Sequence, residues 1–228
     1  MTDLTLGQRI AAKRNELSLS QSALGEQLGV SRQSVFKWES DAAVPEIDKL
    51  IGLRSRIIED LRSALESKNL GVFVDRNTGA IAFEGAVLFD VNRNELKDGG
   101  KELLNAFIPV YIRTLMSEEN EGYVGEIIIE GHTDTSGSYL HNLALSQERA
   151  LAVASYCLGS EMMGLTEEEK LVLQEILTAN GRSESDPVYA ADGSVDMEAS
   201  RRVVFKFRMK DSDMIDQMSE ILEGQQVD

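Results

Sequence analysis

Asp134 and Arg149 are the two residues whose charges and spacing predict a binding site. They lie fifteen positions apart in GHTDTSGSYLHNLALSQERA, residues 131–150. Asp134 follows the apolar run at 127–129, which is typical of a buried strand, and Arg149 falls in a helical pattern. This arrangement predicts a pocket at the strand's end with one negative and one positive wall, suited to a small zwitterion such as an amino-acid head group. The alternative is a structural salt bridge between the two that only fixes a loop to a helix.

The other reactive side chains form no recognisable catalytic or metal-binding pattern in the sequence. His132 and His141 are two isolated histidines, whereas a metal site needs three or more convergent ligands. Ser136 and Ser138 do not belong to a recognisable triad. The single cysteine, Cys157, lies in ALAVASYCL, where a small buried hydrophobe is the favoured interpretation. We therefore expect a protein that is not an enzyme and that has no cofactor and no metal.

The formal net charge of −16 is unevenly distributed along the 228 residues. Residues 1–53 carry −1 and residues 54–228 carry −15. Because the larger part repels nucleic acid and anionic membranes, only residues 1–53 are expected to approach DNA. No apolar run reaches the roughly 18 residues of a membrane span, and the N-terminus lacks the apolar core of a secretion signal. The chain as given is therefore expected to be cytoplasmic.

Residues 1–53 predict short helices, two of them joined by a tight turn. Ser20 and Ser31 are the expected N-caps of these two, and Gly29 ends the first. The segment SQSALGEQLGVSRQSVFKWES, followed by Pro45, resembles the Xre/lambda-repressor-like family of DNA-binding domains. An earlier helix carries Leu6, Ile10 and Leu17. The resemblance places in the core Leu24, Leu28, Val30, Val35 and Trp38.

In that family the second helix of the motif lies in the major groove of DNA. The resemblance implies DNA contacts from Arg32, Gln33, Ser34 and Lys37, and a contact from Gln21 to the DNA backbone. The alternative is that these are solvated polar residues on a helical fold.

Residues 54–70 predict a charged amphipathic helix that joins two parts of the chain. Its apolar stripe consists of Ile57, Ile58, Leu61, Ala64 and Leu65. We favour packing of this stripe on the following domain. Pairing with a second copy, which gives a homodimer, is the alternative.

Residues 71–210 alternate predicted strands and helices. The segment 72–83 predicts a hairpin with a turn at Asn77 and Gly79, and AVLFDVNRNELKDGGKELL a short strand followed by a helix start. Strands are expected at 124–130 and 201–209, a helix at 142–158, and a helix or helix-to-strand segment from 166. The order β-α-β-α-(α)-β predicts an α+β fold, a mixed sheet with helices on one face. A terminal helix is expected from Met214, Met218, Ile221 and Leu222.

Four blocks, VLFDVNRNEL, GHTDTSGSYLHNLALSQERA, GRSESDPV and SRRVVFKF, resemble the OmpA-like peptidoglycan-binding domain. The hairpin VDRNTGAIAF is most similar to the MotB branch of stator subunits, and to the MotB-like subunit of Zorya phage-defence systems. The family normally has Asn where Ser200 stands, so one expected hydrogen bond is in question.

The resemblance implies that the domain holds the diaminopimelate residue of the peptidoglycan stem peptide. Asp134 would accept from the ligand's ammonium group and Arg149 would clamp its carboxylate. Thr133 and Asn142 would add hydrogen bonds at the rim. The far side would be closed by Asp90 and Asn92, and one of Arg201 and Arg202 would buttress the site while the other binds a carboxylate.

The two resemblances predict a division into four segments: a helix-turn-helix segment at 1–53, a linker helix at 54–70, an OmpA-like domain at 71–210 and a helical tail at 211–228. In its parent protein, the OmpA-like domain is expected in the periplasm or cell envelope, anchored to the inner membrane. A membrane stator partner subunit is expected only where a full-length parent has a membrane span.

Two hypotheses on function remain open. The first is a non-catalytic anchor that binds peptidoglycan, and the second is a DNA-binding regulator whose OmpA-like domain senses a ligand or dimerises. The two halves of the chain imply different compartments. The abrupt change at Leu53 and Arg54 motivates the hypothesis of an engineered fusion, in which a repressor-like fragment replaces the tail and membrane span of a stator subunit. A natural cytosolic protein that uses the fold for another ligand is the alternative.

Overall fold

The computed structural model describes residues 5–16, 18–27, 30–43 and 47–210. These residues divide into two compact units, one that ends at Arg54 and one that comprises Ser55–Lys210. The predicted helix in 211–228, the first-helix residue Leu17 and the core position Leu28 lie outside the described residues. None of the helices in the described ranges is both long enough and apolar enough to cross a membrane.

The first unit contains three short helices, α1 (Leu6–Glu16), α2 (Gln21–Gln27) and α3 (Arg32–Glu39). Both predicted N-cap serines accept a backbone hydrogen bond, Ser20 Oγ from Ala23 N at 3.0 Å and Ser31 Oγ from Ser34 N at 3.1 Å. These bonds satisfy amide groups that the first helical turn leaves without partners. The buried core of the unit comprises Ile10, Leu24, Val35 and Trp38, with Leu19, Val30 and Ala43 packed against it.

Helix α4 (Ile47–Ser67) runs without interruption through the junction expected at Leu53 and Arg54. Within the second unit, the apolar stripe is buried at Ile57, Ile58, Leu61 and Leu65. The favoured prediction, that the stripe packs on its own domain, is confirmed for these four residues. The assignment of 54–70 to a linker stays a prediction.

The second unit is an α+β fold around a four-stranded mixed sheet with the strand order β1-β4-β2-β3. Strands β1 and β2 each pair antiparallel with β4, and β2 pairs parallel with β3. In chain order the elements are β1 (Ile81–Glu84), α5 (Gly85–Leu88), α6 (Asp98–Leu115), β2 (Val124–Gly131), α7 (Tyr139–Leu158), α8 (Glu167–Ile176), β3 (Leu177–Gly181), α9 (Met197–Ser200) and β4 (Arg202–Met209). The predicted fold class is confirmed, and the segment from 166 consists of helix α8 followed by strand β3.

The short strand predicted at the start of AVLFDVNRNEL is wrong, because Gly85–Leu88 form one helical turn. Gly85 and Leu88 are both buried, whereas the two residues between them are exposed. A helical turn brings residues three apart to one face, and a strand would instead bury alternate residues. The hairpin predicted at 72–83 has its turn, but Val74 and Ile81 form only an isolated bridge.

One face of the sheet is apolar and carries the helices. Its buried residues include Ile127, Ile129, Val203, Phe205, Phe207 and Met209. From α6, the rings of Phe107 and Tyr111 lie 5.1 Å and 5.9 Å from that of Phe205, centroid to centroid. Gly131 pairs with Val203 on this same face, and α7 crosses it there. Helices α6 and α7 therefore cover the same face.

Two glycines at the strand ends determine how close α7 comes to the sheet. A Cβ atom on Gly131 would lie 2.1 Å from Ser146 O, and one on Gly181 would lie 2.6 Å from Gln147 N. Both distances are shorter than any real carbon contact, so only glycine allows this approach. The side chain of Gln147 also donates to Ala179 O at 3.1 Å and accepts from Gly181 N at 2.7 Å, which joins α7 to the edge of β3.

The opposite face of the sheet carries ion pairs. Glu126 pairs with Arg208 at 2.9 Å, and Glu130 Oε2 accepts from Lys206 Nζ at 2.6 Å. The imidazole of His132 lies 3.5 Å from Glu130 Oε2. His132 and Lys206 together lower the pKa of Glu130 to about 2, against the effect of its burial. The ionised carboxylate thus stabilises the strand that leads to Asp134.

We predict that Gly131→Ala lowers the free energy of unfolding by about 3 kcal/mol, because the added methyl group must push α7 away from the sheet. Urea denaturation followed by circular dichroism measures the change. Gly122→Ala is the matched control, since a Cβ atom at that glycine meets nothing within 4 Å. Equal losses in the two variants would contradict the role given to Gly131.

We predict that Glu130→Gln destabilises the protein by about 2 kcal/mol at neutral pH. The pKa of Glu130 is lowered from 4.5 to about 2 by folding, so its contribution is complete above 4.5 and lost as the pH falls toward 2. The difference in unfolding free energy between wild type and variant should shrink over that range. A difference that is independent of pH would count against this account of Glu130.

Candidate functional site

The loop after β2 is held on both sides by backbone hydrogen bonds. His132 N donates to Arg202 O at 2.9 Å, and Thr133 N donates to Ser183 O at 2.8 Å. Both bonds extend the sheet contacts beyond the end of β2. They place Asp134 at the strand end, as the sequence predicts.

Asp134 begins a tight turn that its own carboxylate stabilises. Its Oδ1 accepts from Ser136 N at 2.9 Å and also from Ser136 Oγ. Two residues later, Ser138 caps α7, accepting from His141 N at 3.3 Å. The turn thus leads directly into the helix that carries Arg149.

A pocket of about 590 Å³ lies between this turn, the N-terminal half of α7 and the segment that follows β1. Seven of the eight predicted ligand-binding residues line it: Asp90, Asn92, Thr133, Asp134, Asn142, Arg149 and Arg201. Residues from three distant parts of the sequence therefore meet at one site.

Asp134 forms the negative wall of the pocket, and only 7% of the residue is exposed. Its Oδ2 accepts from Arg201 Nη1 at 2.5 Å. Burial raises the pKa of Asp134, but the hydrogen bonds from Ser136 and Arg201 outweigh burial and hold the pKa below its usual value. The carboxylate is therefore ionised at neutral pH.

Arg149 forms the positive wall and is 5% exposed. Its Nε donates to Arg93 O at 2.9 Å and its Nη2 to Asp90 O at 3.3 Å. The ring of Phe89 lies 5.2 Å from the guanidinium carbon. No carboxylate among the described residues forms an ion pair with Arg149. Burial, and then the nearby charge of Arg201, lower the pKa of Arg149, and the charge of Asp134 offsets them only in part.

The alternative of a structural salt bridge between Asp134 and Arg149 is therefore wrong. Asp134 pairs instead with Arg201, which follows it by 67 positions, and Arg149 is held by backbone carbonyl groups. The two charges face the same pocket, and Asp134 acts on Arg149 as a nearby charge without a direct ion pair.

Asn142 is 3% exposed and holds the turn in place. Its Nδ2 lies 3.2 Å from Asp134 O, 2.9 Å from Ser136 O and 2.8 Å from Glu184 Oε2. These three acceptors occupy the amide nitrogen, so the nitrogen positions the turn. The hydroxyl of Thr133, in contrast, is buried and has no partner among the described residues.

The remaining predicted residues differ in how they meet the pocket. Asp90 is exposed on the far side, with Oδ1 3.8 Å from Lys97 Nζ, and Asn92 is exposed at a left-handed φ of 56°. Arg202 does not line the pocket, because its Nη2 donates to Asp186 O at 2.9 Å and Asp186 Oδ2 at 3.0 Å. Ser200 keeps a bond of its own, since its Oγ accepts from Val188 N at 3.0 Å.

Sequence reasoning missed several residues that line the pocket. Ser136 could have been predicted from the sequence, since a serine two residues after an aspartate commonly hydrogen-bonds to the aspartate in such a turn. His141 also lines the pocket, although the sequence indicates for it only the weak possibility of a metal ligand. In the described ranges, no three His, Cys, Asp or Glu side chains are grouped to hold a metal ion. Also missed were Gly85, Ala86, Phe89, Val91, Lys97, Gly137 and Leu145.

The predicted DNA-contacting residues lie on α3 and at the start of α2. Arg32, Gln33 and Lys37 are exposed, and Ser34 is half-buried with its Oγ 2.9 Å from Ser31 Oγ. Gln21 differs, because its Nε2 donates to Glu39 Oε2 at 2.7 Å within the unit.

A separate ion pair turns the acidic residue of α3 inward. Glu39 Oε1 accepts from Arg14 Nε at 2.5 Å, and only 9% of the Glu39 side chain is exposed. Burial raises the pKa of Glu39, but the bonds from Arg14 and Gln21 outweigh it and lower the pKa. The exposed face of α3 thus carries Arg32 and Lys37 and no carboxylate of α3 itself.

Comparison with known proteins assigns families to both parts. The OmpA family model matches residues 88–201, and the helix-turn-helix model matches residues 10–55. Zorya protein ZorB of Escherichia coli O139:H28 is 32% identical over 163 residues, which cover 69% of this chain and 64% of ZorB. Repressor protein C2 of Salmonella phage P22 is 36% identical over 53 residues, 23% of this chain and 24% of the repressor. The chain thus spans less than two thirds of the length of each relative.

Among solved structures, a protein of Desulfovibrio vulgaris described as MotB-like superposes with a TM-score of 0.52 and 23% identity. The superposition covers 73% of this chain and 97% of that protein. At this identity the likeness concerns the fold alone. The OmpA model, however, spans half of the chain and includes Asp134, Arg149 and Arg201. The chain belongs to the OmpA family and carries a helix-turn-helix segment ahead of its OmpA-like domain.

Proposed function

We propose that the pocket binds the diaminopimelate residue of a peptidoglycan stem peptide and so anchors the protein to the cell wall without catalysis. The observation that carries this proposal is Arg149, a buried cation that faces a pocket and has no carboxylate partner among the described residues. Membership of the OmpA family supports the same class of ligand.

A buried charge without a counter-ion is costly, so proteins normally pair such groups. At Arg149 two N–H groups are held by carbonyl oxygens of 90 and 93, and Nη1 has no acceptor among the described residues. The guanidinium is thereby fixed in orientation before a ligand arrives. A carboxylate that enters the pocket gains charge-assisted hydrogen bonds from a planar fork that matches its shape.

Asp134 supplies the second half of the recognition. Its ionised carboxylate lines the same pocket and suits an ammonium group. The free end of diaminopimelate carries an amine and a carboxylate on one stereocentre, so it presents both charges together. Thr133, whose buried hydroxyl lacks a partner in the described part of the chain, adds a hydrogen-bonding group beside them.

The anchoring role follows from weak binding at many sites. Each charge-assisted hydrogen bond contributes about 1.5–3 kcal/mol less the cost of desolvation, so one stem peptide is held weakly. Two pockets on a homodimer would raise the strength of attachment through effective concentration. In a parent protein with a membrane span and a stator partner subunit, such attachment would fix a MotB-like stator subunit to the wall.

We predict that Arg149→Ala weakens binding of meso-diaminopimelate at least tenfold, since the ligand carboxylate loses its charged partner. The measurement is an NMR titration that follows the amides of residues 133–137. Arg149→Lys, which keeps the charge but not the fork, should bind with intermediate affinity.

The matched control is Arg182→Ala, because Arg182 is exposed and does not line the pocket. It should bind as tightly as the wild type, and urea denaturation checks that every variant is folded. Wild-type affinity in Arg149→Ala would contradict the proposal.

A second candidate function is DNA binding by the helix-turn-helix segment. The observation that favours it is the exposed face of α3, which carries Arg32, Gln33 and Lys37 while Glu39 is turned inward by Arg14. A cationic helix face without a carboxylate of its own fits the major groove despite the acidic chain.

We predict that the chain forms a complex with a palindromic DNA library at low salt and that Arg32→Ala with Lys37→Ala abolishes it. Lys13→Ala on α1 is the control, since this lysine pairs with Glu16 and lies outside α3. A gel shift measures the complex. Absence of any complex with the wild type at low salt would remove DNA binding as a function.

A further inference from the structure

The carboxylate that is proposed to hold the ligand's ammonium group is already occupied by the chain itself. Both oxygens of Asp134 have partners: Oδ1 accepts from the backbone and side chain of Ser136, and Oδ2 accepts from Arg201 Nη1 at 2.5 Å. An ammonium group that approaches Asp134 therefore meets a charge that Arg201 already compensates.

The two partners of Asp134 differ in how firmly they are held. Ser136 belongs to the same turn, and its backbone N–H is fixed by the path of the chain. The side chain of Arg201 is 41% exposed, and its only side-chain hydrogen bond in the described residues is the one to Asp134. Its backbone is fixed independently, because Arg201 O accepts from Gly85 N at 2.6 Å. The guanidinium can therefore leave while the backbone stays.

The charges of the pocket leave one carboxylate for which two cations would compete. Asp90 and Lys97 lie 3.8 Å apart at the rim and compensate each other. Inside, Arg149 and Arg201 face the single carboxylate of Asp134. The ligand brings a carboxylate for Arg149 together with its ammonium group, so Asp134 is the one carboxylate for which that ammonium group and Arg201 compete. Since Arg201 can reach solvent, it can leave Asp134 Oδ2 when the ammonium group takes its place.

We infer that Arg201 is an internal competitor for the ligand's ammonium group and that binding exchanges one cation for the other at Asp134 Oδ2. This inference rests on the proposed function. It makes the ligand carboxylate, which meets the unpaired Arg149, the main source of affinity. The ammonium group contributes little net affinity in the wild type, because its bond replaces an existing one.

The test compares two probes, meso-diaminopimelate and pimelate, the dicarboxylate of the same chain length without amino groups. The ratio of their dissociation constants, from NMR titration, measures what the ammonium groups contribute. In Arg201→Ala the dissociation constant of pimelate divided by that of diaminopimelate should rise about tenfold, because Asp134 is left without its cation. Arg201→Lys keeps a competing cation and should stay close to the wild-type ratio.

Arg208→Ala is the matched control for the loss of one positive charge, since Arg208 pairs with Glu126 on the opposite face of the sheet. Its ratio should equal that of the wild type. An unchanged or smaller ratio in Arg201→Ala, with binding that still depends on Arg149, overturns the exchange and leaves the proposed function standing. If neither probe binds in an Arg149-dependent manner, the proposed function fails and the exchange fails with it.

Discussion

A buried guanidinium held by backbone carbonyl groups is the interaction on which the binding site depends. Arg149 is 5% exposed, and its guanidinium group is held by Arg93 O, Asp90 O and the ring of Phe89. None of these groups neutralises a full charge. The fold thus orients the cation without a directly bonded carboxylate among the described residues, and this combination favours an anionic group from outside.

The rest of the second unit serves to bring that cation to the end of β2. Gly131 and Gly181 allow α7 to lie directly on the sheet, so that Arg149 faces the turn at Asp134. Asn142 joins this turn to the loop that carries Glu184, and thus links two segments that are 42 positions apart. Position, orientation and the spacing of the two charges all follow from how closely α7 packs on β2 and β3.

The placement of Asp134 and Arg149 could be predicted from the sequence because both depend on local patterns. An apolar run followed by a polar turn indicates the end of a strand, and a helical period after Ser138 positions the arginine. The pairing of Asp134 with Arg201 could not be predicted, since it joins residues 67 positions apart through the sheet. The helical turn at Gly85–Leu88 could not be predicted, because a run of four apolar residues is too short for its periodicity to distinguish a strand from a helix.

We propose that the pocket holds the amino-acid end of diaminopimelate with its carboxylate on Arg149. A crystal structure of the full chain soaked with meso-diaminopimelate tests this most directly. We expect density for a carboxylate within hydrogen-bonding distance of Arg149 and for an ammonium group at Asp134, with Arg201 displaced. Density that places the carboxylate elsewhere, or a pocket that stays empty at saturating ligand, would contradict it.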